Sequence, residues 1–190
     1  MLTEISLNVI DIVRNSVRAG ATLVEIEILR DTVRNELTMR ISDNGCGMSE
    51  DQLKKVEDPF YTSRKTRKVG LGIPFLKQQA EVTGGHFTIE SEQGKGTTTE
   101  ALFKTDNIDC MPLGDISSSI FLLVTTSDEG IDYVYRYETD GHGFVLDTRE
   151  IRKQIGDIPL STGEVASFIK EFLEENKAEV DSYSENGGEK

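Results

Sequence analysis

The apolar residues near the start of the chain recur first with the period of an α-helix and then with that of a β-strand. The first pattern predicts a helix over residues 2–19 with an apolar face formed by Leu2, Ile5, Val9, Ile12 and Val13. At about 100° per residue, polar side chains collect on another face of this helix: Asn8, Asp11, Asn15 and Arg18. Gly20 ends the helix, and the alternation over residues 23–28 predicts a strand.

Glycine-containing loops follow the next predicted elements. Residues 36–42 alternate as a strand that runs into the loop 43–47, with the sequence DNGCG. A short helix is predicted from residue 49 onward, and a second loop, GLG at 70–72, precedes a helix with Pro74 in its first turn. Residues 87–91 and 97–103 are predicted to form a hairpin around a GKG turn. A strand followed by a glycine loop is typical of a ligand site.

The second half of the chain begins after a joint rich in Pro, Gly and Asp at 106–115. We expect paired strands at 120–126 and 131–137, a helix over 148–155, and a last helix whose apolar face is formed by Val165, Phe168, Ile169, Phe172 and Leu173. From residue 181 onward no burial pattern is visible, which predicts a disordered tail. The predicted organisation is a domain at 1–104, a small α+β appendage at 105–180 and a tail at 181–190.

Composition and charge narrow the functional classes. The chain has 190 residues, enough for a single domain with an appendage, and its charge of -13 argues against a general nucleic-acid binder. Residues 1–104 are almost neutral, whereas residues 105–190 carry 7 basic and 19 acidic side chains. No apolar run reaches the length of about 18 residues that a membrane span needs, and no targeting signal is readable, so we expect a cytoplasmic protein without a membrane partner. The two cysteines and two histidines have no metal-site spacing.

Four of these elements occur in a characteristic order: the helix with Asp11 and Asn15, then the DNGCG, GLG and GKGTT loops. Together they resemble the GHKL superfamily of ATP-binding proteins, which includes DNA gyrase B, heat-shock chaperone ATPases, histidine kinases and MutL. The resemblance covers residues 1–104 and is greatest to a stand-alone histidine-kinase-like ATPase domain. It implies an α/β fold, an α+β sandwich of the Bergerat type. Such a fold has a mixed, mostly antiparallel sheet with helices on one face, here followed by the C-terminal α+β extension.

The resemblance also implies the residues that hold a nucleotide and its metal. Asn15 matches the asparagine that gives a carbonyl oxygen to Mg²⁺, a hard ion that prefers oxygen ligands. Asp43 matches the aspartate that accepts a hydrogen bond from the exocyclic amine of adenine. Gly45 and Gly47 let the backbone approach the purine. Thr97 is expected to reach the adenine through a water, with Thr98 as the alternative.

The phosphate end of the expected site involves a carboxylate and the second glycine loop. Asp11 stands where gyrase-like and anti-sigma-kinase-like members have a glutamate general base; the alternative is that it orients Asn15 or a magnesium-bound water. Gly70, Leu71 and Gly72 would offer backbone N–H groups at a helix start to the phosphates. Any one of the basic residues Arg64, Lys65, Arg67 and Lys68 is a candidate contact of the γ-phosphate, and Lys65 is the one included among the predicted site residues. Asn8, on the same helix, is expected to be structural.

Three functions compete on this basis, all with ATP and Mg²⁺ as cofactors. The first is a regulatory kinase module that transfers the γ-phosphate to a protein partner; the small domain and the appendage favour it. The second is an ATPase that drives a conformational or dimer switch, and the third is a non-catalytic ATP sensor. The resemblance also allows a homodimer.

Overall fold

The computed structural model describes residues 4–56, 72–126 and 130–185. Helices and strands alternate along these residues in the following order: α1 (Ile5–Arg18), β1 (Leu23–Asp31), β2 (Glu36–Asp43), α2 (Glu50–Val56), α3 (Gly72–Val82), β3 (His86–Glu92), β4 (Gly96–Lys104), α4 (Ile116–Thr126), β5 (Asp132–Thr139), β6 (His142–Asp147), α5 (Thr148–Ile155) and α6 (Gly163–Glu185). None of the described helices is both long and apolar enough to span a membrane.

The strands form one mixed sheet in the order β3-β4-β2-β1-β5-β6. Neighbouring strands are antiparallel except for β1 and β5, which are parallel and pair from Leu23 with Asp132 to Arg30 with Thr139. This architecture confirms the predicted α/β fold with a mostly antiparallel mixed sheet.

One face of the sheet carries the core because its strands alternate buried and more exposed residues. Ile26, Ile28, Met39 and Ile41 of the central strands are at most 1% exposed. Three tyrosines of β5, Tyr133, Tyr135 and Tyr137, are equally buried on that face. Apolar residues of α1, α3, α4 and α6 belong to the same core cluster, so the helices form a single layer over the sheet.

The opposite face of the sheet carries alternating charges. In the pairing register, Arg40 of β2 lies opposite Glu100 of β4 and Glu27 of β1, and Glu27 lies opposite Arg136 of β5. Arg40 Nε donates to Glu100 at 2.7 Å and Nη1 to Glu27 at 3.3 Å. The resulting row of charges crosses four strands and consists of Glu100, Arg40, Glu27, Arg136 and Glu138. His86 of β3 extends the row, with Nε2 3.6 Å from Glu100. Opposite charges on adjacent strands stabilise their pairing.

Helix α4 replaces the strand predicted at 120–126, and that prediction was wrong. The Asp115 carboxylate accepts from the Ser118 N–H at 2.9 Å and so starts a helix one residue later. Ile116, Ile120, Leu123 and Val124 are buried at helical spacing. The uninterrupted apolar run fits a buried strand and a buried helix equally well, and packing against α1 and α6 decides in favour of the helix.

The C-terminal half of the chain builds part of the same sheet, since β5 and β6 extend it beyond β1. The predicted helix at 148–155 is confirmed by α5. The tail predicted from residue 181 was placed too early because α6 continues to Glu185. Asp181 accepts from the Tyr137 hydroxyl at 2.6 Å and pairs with Arg30 at 3.4 Å, and these contacts hold the last turns of α6 on the sheet.

Candidate functional site

A cleft of about 330 Å³ opens between α1, the loop after β2, the start of α3 and the β3–β4 hairpin. Its lining includes six of the residues predicted for the site: Asp11, Asn15, Asp43, Gly47, Gly72 and Thr97. Gly45 does not line the cleft. Of the two candidate threonines, Thr98 points to the other face of the sheet and hydrogen-bonds with Ser42 at 3.0 Å. Lys65, Gly70 and Leu71 lie outside the described residues.

Asp43 is held in one orientation by two donors. The Ser16 hydroxyl of α1 donates to Oδ2 at 2.6 Å, and the Gly45 backbone N–H donates to Oδ1 at 2.8 Å. Ser16 is only 3% exposed, so this hydrogen bond is formed away from bulk water. A carboxylate has about four acceptor positions, so each oxygen keeps capacity for a ligand donor.

The loop that follows Asp43 is tied to the start of β1. The Asn44 side-chain oxygen accepts from the Thr22 and Leu23 N–H groups at 2.8 and 2.9 Å, and Cys46 N–H donates to the Ala19 carbonyl at 2.8 Å. Gly47 has φ +63, and a Cβ there would overlap the carbonyl group of Glu92. Glycine is therefore needed at this position both for its conformation and for space.

Asn15 and Asp11 project from α1 on the phosphate side expected from the resemblance. The Asn15 side-chain oxygen accepts from Arg18 Nη1 at 3.1 Å. The Asp11 carboxylate lies against the start of α3, where a Cβ at Gly72 would overlap Oδ2. The amide oxygen and the carboxylate are the hard donors that Mg²⁺ prefers, and Mg²⁺ usually takes only one or two protein ligands beside phosphates. The residues present therefore fit this ion.

Thr97 belongs to a hydroxyl network at the other end of the cleft. Ser91 Oγ accepts from the Met48 N–H at 2.9 Å and donates to the Gly96 carbonyl at 2.9 Å. Because the single Ser91 proton is used in this way, Thr97 is the donor in its 2.8 Å hydrogen bond with Ser91. The lone pairs of Thr97 stay available to a ligand or water in the cleft.

Sequence reasoning missed Ser16, Arg18 and Ser91 as members of the site. For Ser16 a signal was present: it lies four residues after Ile12 on the apolar face of α1, where a hydroxyl requires a buried partner. Arg18 follows Asn15 by three residues, the spacing at which helical side chains meet. Ser91 gave no local signal, since its partners come from the loop after β2 and from the turn before β4.

The family model of histidine kinase-, DNA gyrase B- and HSP90-like ATPases matches residues 2–107. The chain belongs to this family. All the described residues that line the cleft lie within the matched region, whereas β5, β6 and α4 to α6 lie beyond it. ATP is therefore the ligand that family membership implies for the cleft.

Several kinases and a sensor protein are similar to the matched region of this family member. Sporulation kinase E of Bacillus subtilis is 36% identical over 92 residues, which cover 46% of this chain and 12% of the kinase. The sensor protein kinase WalK of Staphylococcus aureus is 34% identical over 84 residues, 42% of this chain and 20% of that protein. A putative sensor protein of Shewanella frigidimarina is 32% identical over 96 residues, 50% of this chain and 15% of that protein. The chain thus spans no more than a fifth of the length of these relatives.

A solved structure supports the fold independently. The N-terminal domain of a DNA repair protein superposes with a TM-score of 0.51 at 16% identity, covering 77% of this chain and 53% of the other. At this identity the likeness concerns the fold alone.

Proposed function

We propose that this protein binds MgATP in the cleft and acts as a cytoplasmic regulatory kinase module that transfers the γ-phosphate to a protein partner. The observation that carries the proposal is the convergence of Asp11, Asn15, Asp43 and Thr97 on one cleft. Carboxylate and hydroxyl acceptors at one end suit the donor edge of adenine, and oxygen donors at the other end suit a metal-bound phosphate.

Recognition of adenine would depend on Asp43. Its carboxylate has both donors in place and can accept from the exocyclic amine, a group that guanine lacks at that position. Thr97 would reach the base through a water. Gly47 lines the wall of the cleft and has no side chain, so the backbone can lie close to the purine.

At the phosphate end, Asn15 would be the protein ligand of Mg²⁺, which when bound neutralises charge on the phosphates. Arg18 would release the Asn15 oxygen and turn its guanidinium to the phosphates. Lys65 and the N–H groups at 70–72 remain proposed phosphate contacts. Asp11 would accept the proton of the attacking hydroxyl.

A kinase is favoured over the other candidates by the similar proteins, which include a sporulation kinase and sensor kinases. An ATPase remains the second candidate because a carboxylate such as Asp11 can accept a proton from water as well as from a hydroxyl. A sensor would need neither phosphate transfer nor ATP hydrolysis. A homodimer is compatible with all three functions.

Binding is tested first by calorimetry with MgATP and MgGTP. Wild-type protein should bind MgATP more tightly than MgGTP. Asp43→Asn should lose most of the MgATP affinity, because the amide presents an N–H group towards the exocyclic amine of adenine. Asp31→Asn is the matched control, since Asp31 ends β1 at the far side of the sheet, where it accepts from Arg34 N–H. Equal affinities for Asp43→Asn and wild type would refute the adenine assignment.

Catalysis is tested by incubating the protein with ATP labelled at the γ-phosphate, alone and with partners captured from the source cells. A labelled partner indicates a kinase and free phosphate indicates an ATPase. Binding without either product indicates a sensor. Asp11→Asn should abolish turnover while MgATP still binds; full turnover in this variant would remove Asp11 from the role of base.

A further inference from the structure

Asn8 of α1 is a buried amide whose side chain has, among the residues that the structure describes, none of the hydrogen-bond partners that a structural role would require. Its exposure is 1%, and within the described residues neither Nδ2 nor Oδ1 has a hydrogen-bond partner. The expectation of a structural role therefore finds no support in its contacts.

An unpaired buried amide destabilises a fold because it gives up hydrogen bonds to water and gains none. The neighbouring positions on the helix, Ile5, Val9 and Ile12, are apolar and buried. Leucine at position 8 would stabilise the fold more than asparagine does. Stability therefore does not explain the amide, and a functional role is needed to explain it.

The nearest candidate partner along the helix is Asp11, three residues later. Side chains at this spacing lie next to each other on a helix, with Cβ atoms about 5–6 Å apart. Asp11 reaches the cleft, and among the described residues none donates a hydrogen bond to its carboxylate. Within the described residues, an amide without an acceptor thus lies one turn from a carboxylate without a donor.

We propose that Asn8 is a positioning residue for Asp11. In the MgATP-bound state the Asn8 Nδ2–H group donates to the Asp11 carboxylate, directly or through one water, and fixes the orientation in which Asp11 accepts a proton. The MgATP-bound state and the role of Asp11 in this statement rest on the proposed function; the hydrogen bond itself does not depend on whether turnover follows binding.

The first test compares two variants that each remove an unpaired buried polar group. Asn8→Leu replaces the amide with a side chain of similar size. Thr139→Val does the same for the buried hydroxyl of Thr139 on β5, which has no hydrogen-bond partner within the described part of the chain. Both should raise Tm, by about 2–8 °C. A fall in Tm for Asn8→Leu alone would show that the amide has a structural partner, and the proposal would fail.

The second test observes the hydrogen bond without any turnover. The side-chain NH₂ resonances of Asn8 are followed by NMR as a non-hydrolysable ATP analogue and Mg²⁺ are added. They should move downfield and exchange more slowly in the wild type, and they should respond much less in Asp11→Ala. Identical behaviour in the two proteins would overturn the proposal even if the protein proves to be a sensor.

The third test separates positioning from binding. Asn8→Leu should keep its MgATP affinity and lose turnover by about 10- to 100-fold, the range seen when a residue that orients a catalytic ligand is removed. In the Asp11→Asn background it should cause no further loss, and Thr139→Val should retain full turnover. Full turnover in Asn8→Leu would refute the positioning role but leave the proposed function intact. Absence of turnover in the wild type would refute the kinase and ATPase proposals, and the NMR result alone would then decide on Asn8.

Discussion

The Ser16 hydroxyl lies 2.6 Å from Oδ2 of Asp43 and so links the helix that carries Asn15 to the strand end expected to read the base. Ser16 follows Asn15 directly in sequence. A displacement of α1 near Asn15 would therefore act directly on the Asp43 carboxylate.

Removing this hydroxyl should weaken nucleotide binding. Ser16→Ala leaves the Asp43 carboxylate with only the Gly45 N–H as donor, and hydrogen bonds to charged groups contribute about 1.5–3 kcal/mol. We expect MgATP affinity to fall by about tenfold or more in calorimetry. Ser119→Ala on α4 is the control, because Ser119 is also buried but donates to the backbone of Asp115. Similar affinities in the two variants would contradict the role assigned to Ser16.

A methyl group at Gly72 should disturb Asp11 selectively. The new Cβ would overlap Oδ2 of Asp11 and push the carboxylate from its place at the start of α3. Gly72→Ala should therefore reduce turnover more than it reduces MgATP affinity, as measured by phosphate release and calorimetry. Gly163→Ala, at the start of α6, has open space around the added carbon and should behave as wild type. Unchanged turnover in Gly72→Ala would mean that the position of Asp11 is not critical.

Two aspartates that cap helices should make the protein acid-sensitive. Hydrogen bonds from the side chain and backbone of Ser118 lower the pKa of Asp115, and the hydrogen-bonded Arg149 side chain lowers that of Asp147, from the usual 3.8. A lowered pKa in the folded state stabilises the fold above the usual pKa, and that stability is lost as the pH falls below it.

The double variant Asp115→Asn/Asp147→Asn keeps both capping acceptors but cannot titrate. Its Tm should lie below that of the wild type at pH 7, and the gap should close as the pH falls from about 4 to 2. A gap that stays constant across this range would show that the two carboxylates are not linked to stability.

The C-terminal half should be required for folding of the region matched by the family model. A chain ending at residue 107 lacks Tyr133, Tyr135 and Tyr137, all buried on the inner face of the sheet, and leaves the backbone groups of β1 unpaired on one side. We expect this fragment to show no cooperative thermal transition by circular dichroism. A chain that ends at Glu185 should melt like the 190-residue chain, and a cooperative transition in the short fragment would contradict the prediction.

Local sequence patterns were sufficient for the elements around the cleft. The helical period of α1 and the alternation in β1 and β2 reflect burial on one side of each element, so they are visible without knowledge of the neighbours. The same local signals indicated that the loop after β2 follows a strand. The roles of Asp11, Asn15, Asp43 and Thr97 came from the family resemblance and stay predictions.

Long-range features could not be obtained in this way. The run from Ile120 to Val124 has no polar interruption, so its period does not distinguish a strand from a buried helix. The Asp115 cap and the eleven residues of α4 were the signals that were overlooked. The parallel pairing of β1 with β5 depends on two distant segments, and neither carries a local signal for it. That Asn8 has no hydrogen-bond partner among the described residues is visible only in three dimensions.

The parallel pairing of β1 with β5 has a consequence for synthesis on the ribosome. β1 begins at Leu23 and its partner at Asp132, so translation separates the two strands by about 5–20 s at ordinary elongation rates. During that interval the sheet is incomplete, and the backbone N–H and C=O groups on one side of β1 are unpaired. That edge is accessible to chaperones and to other nascent chains. Maturation of the nucleotide cleft therefore has to follow synthesis of β5, although every described residue that lines the cleft precedes residue 100.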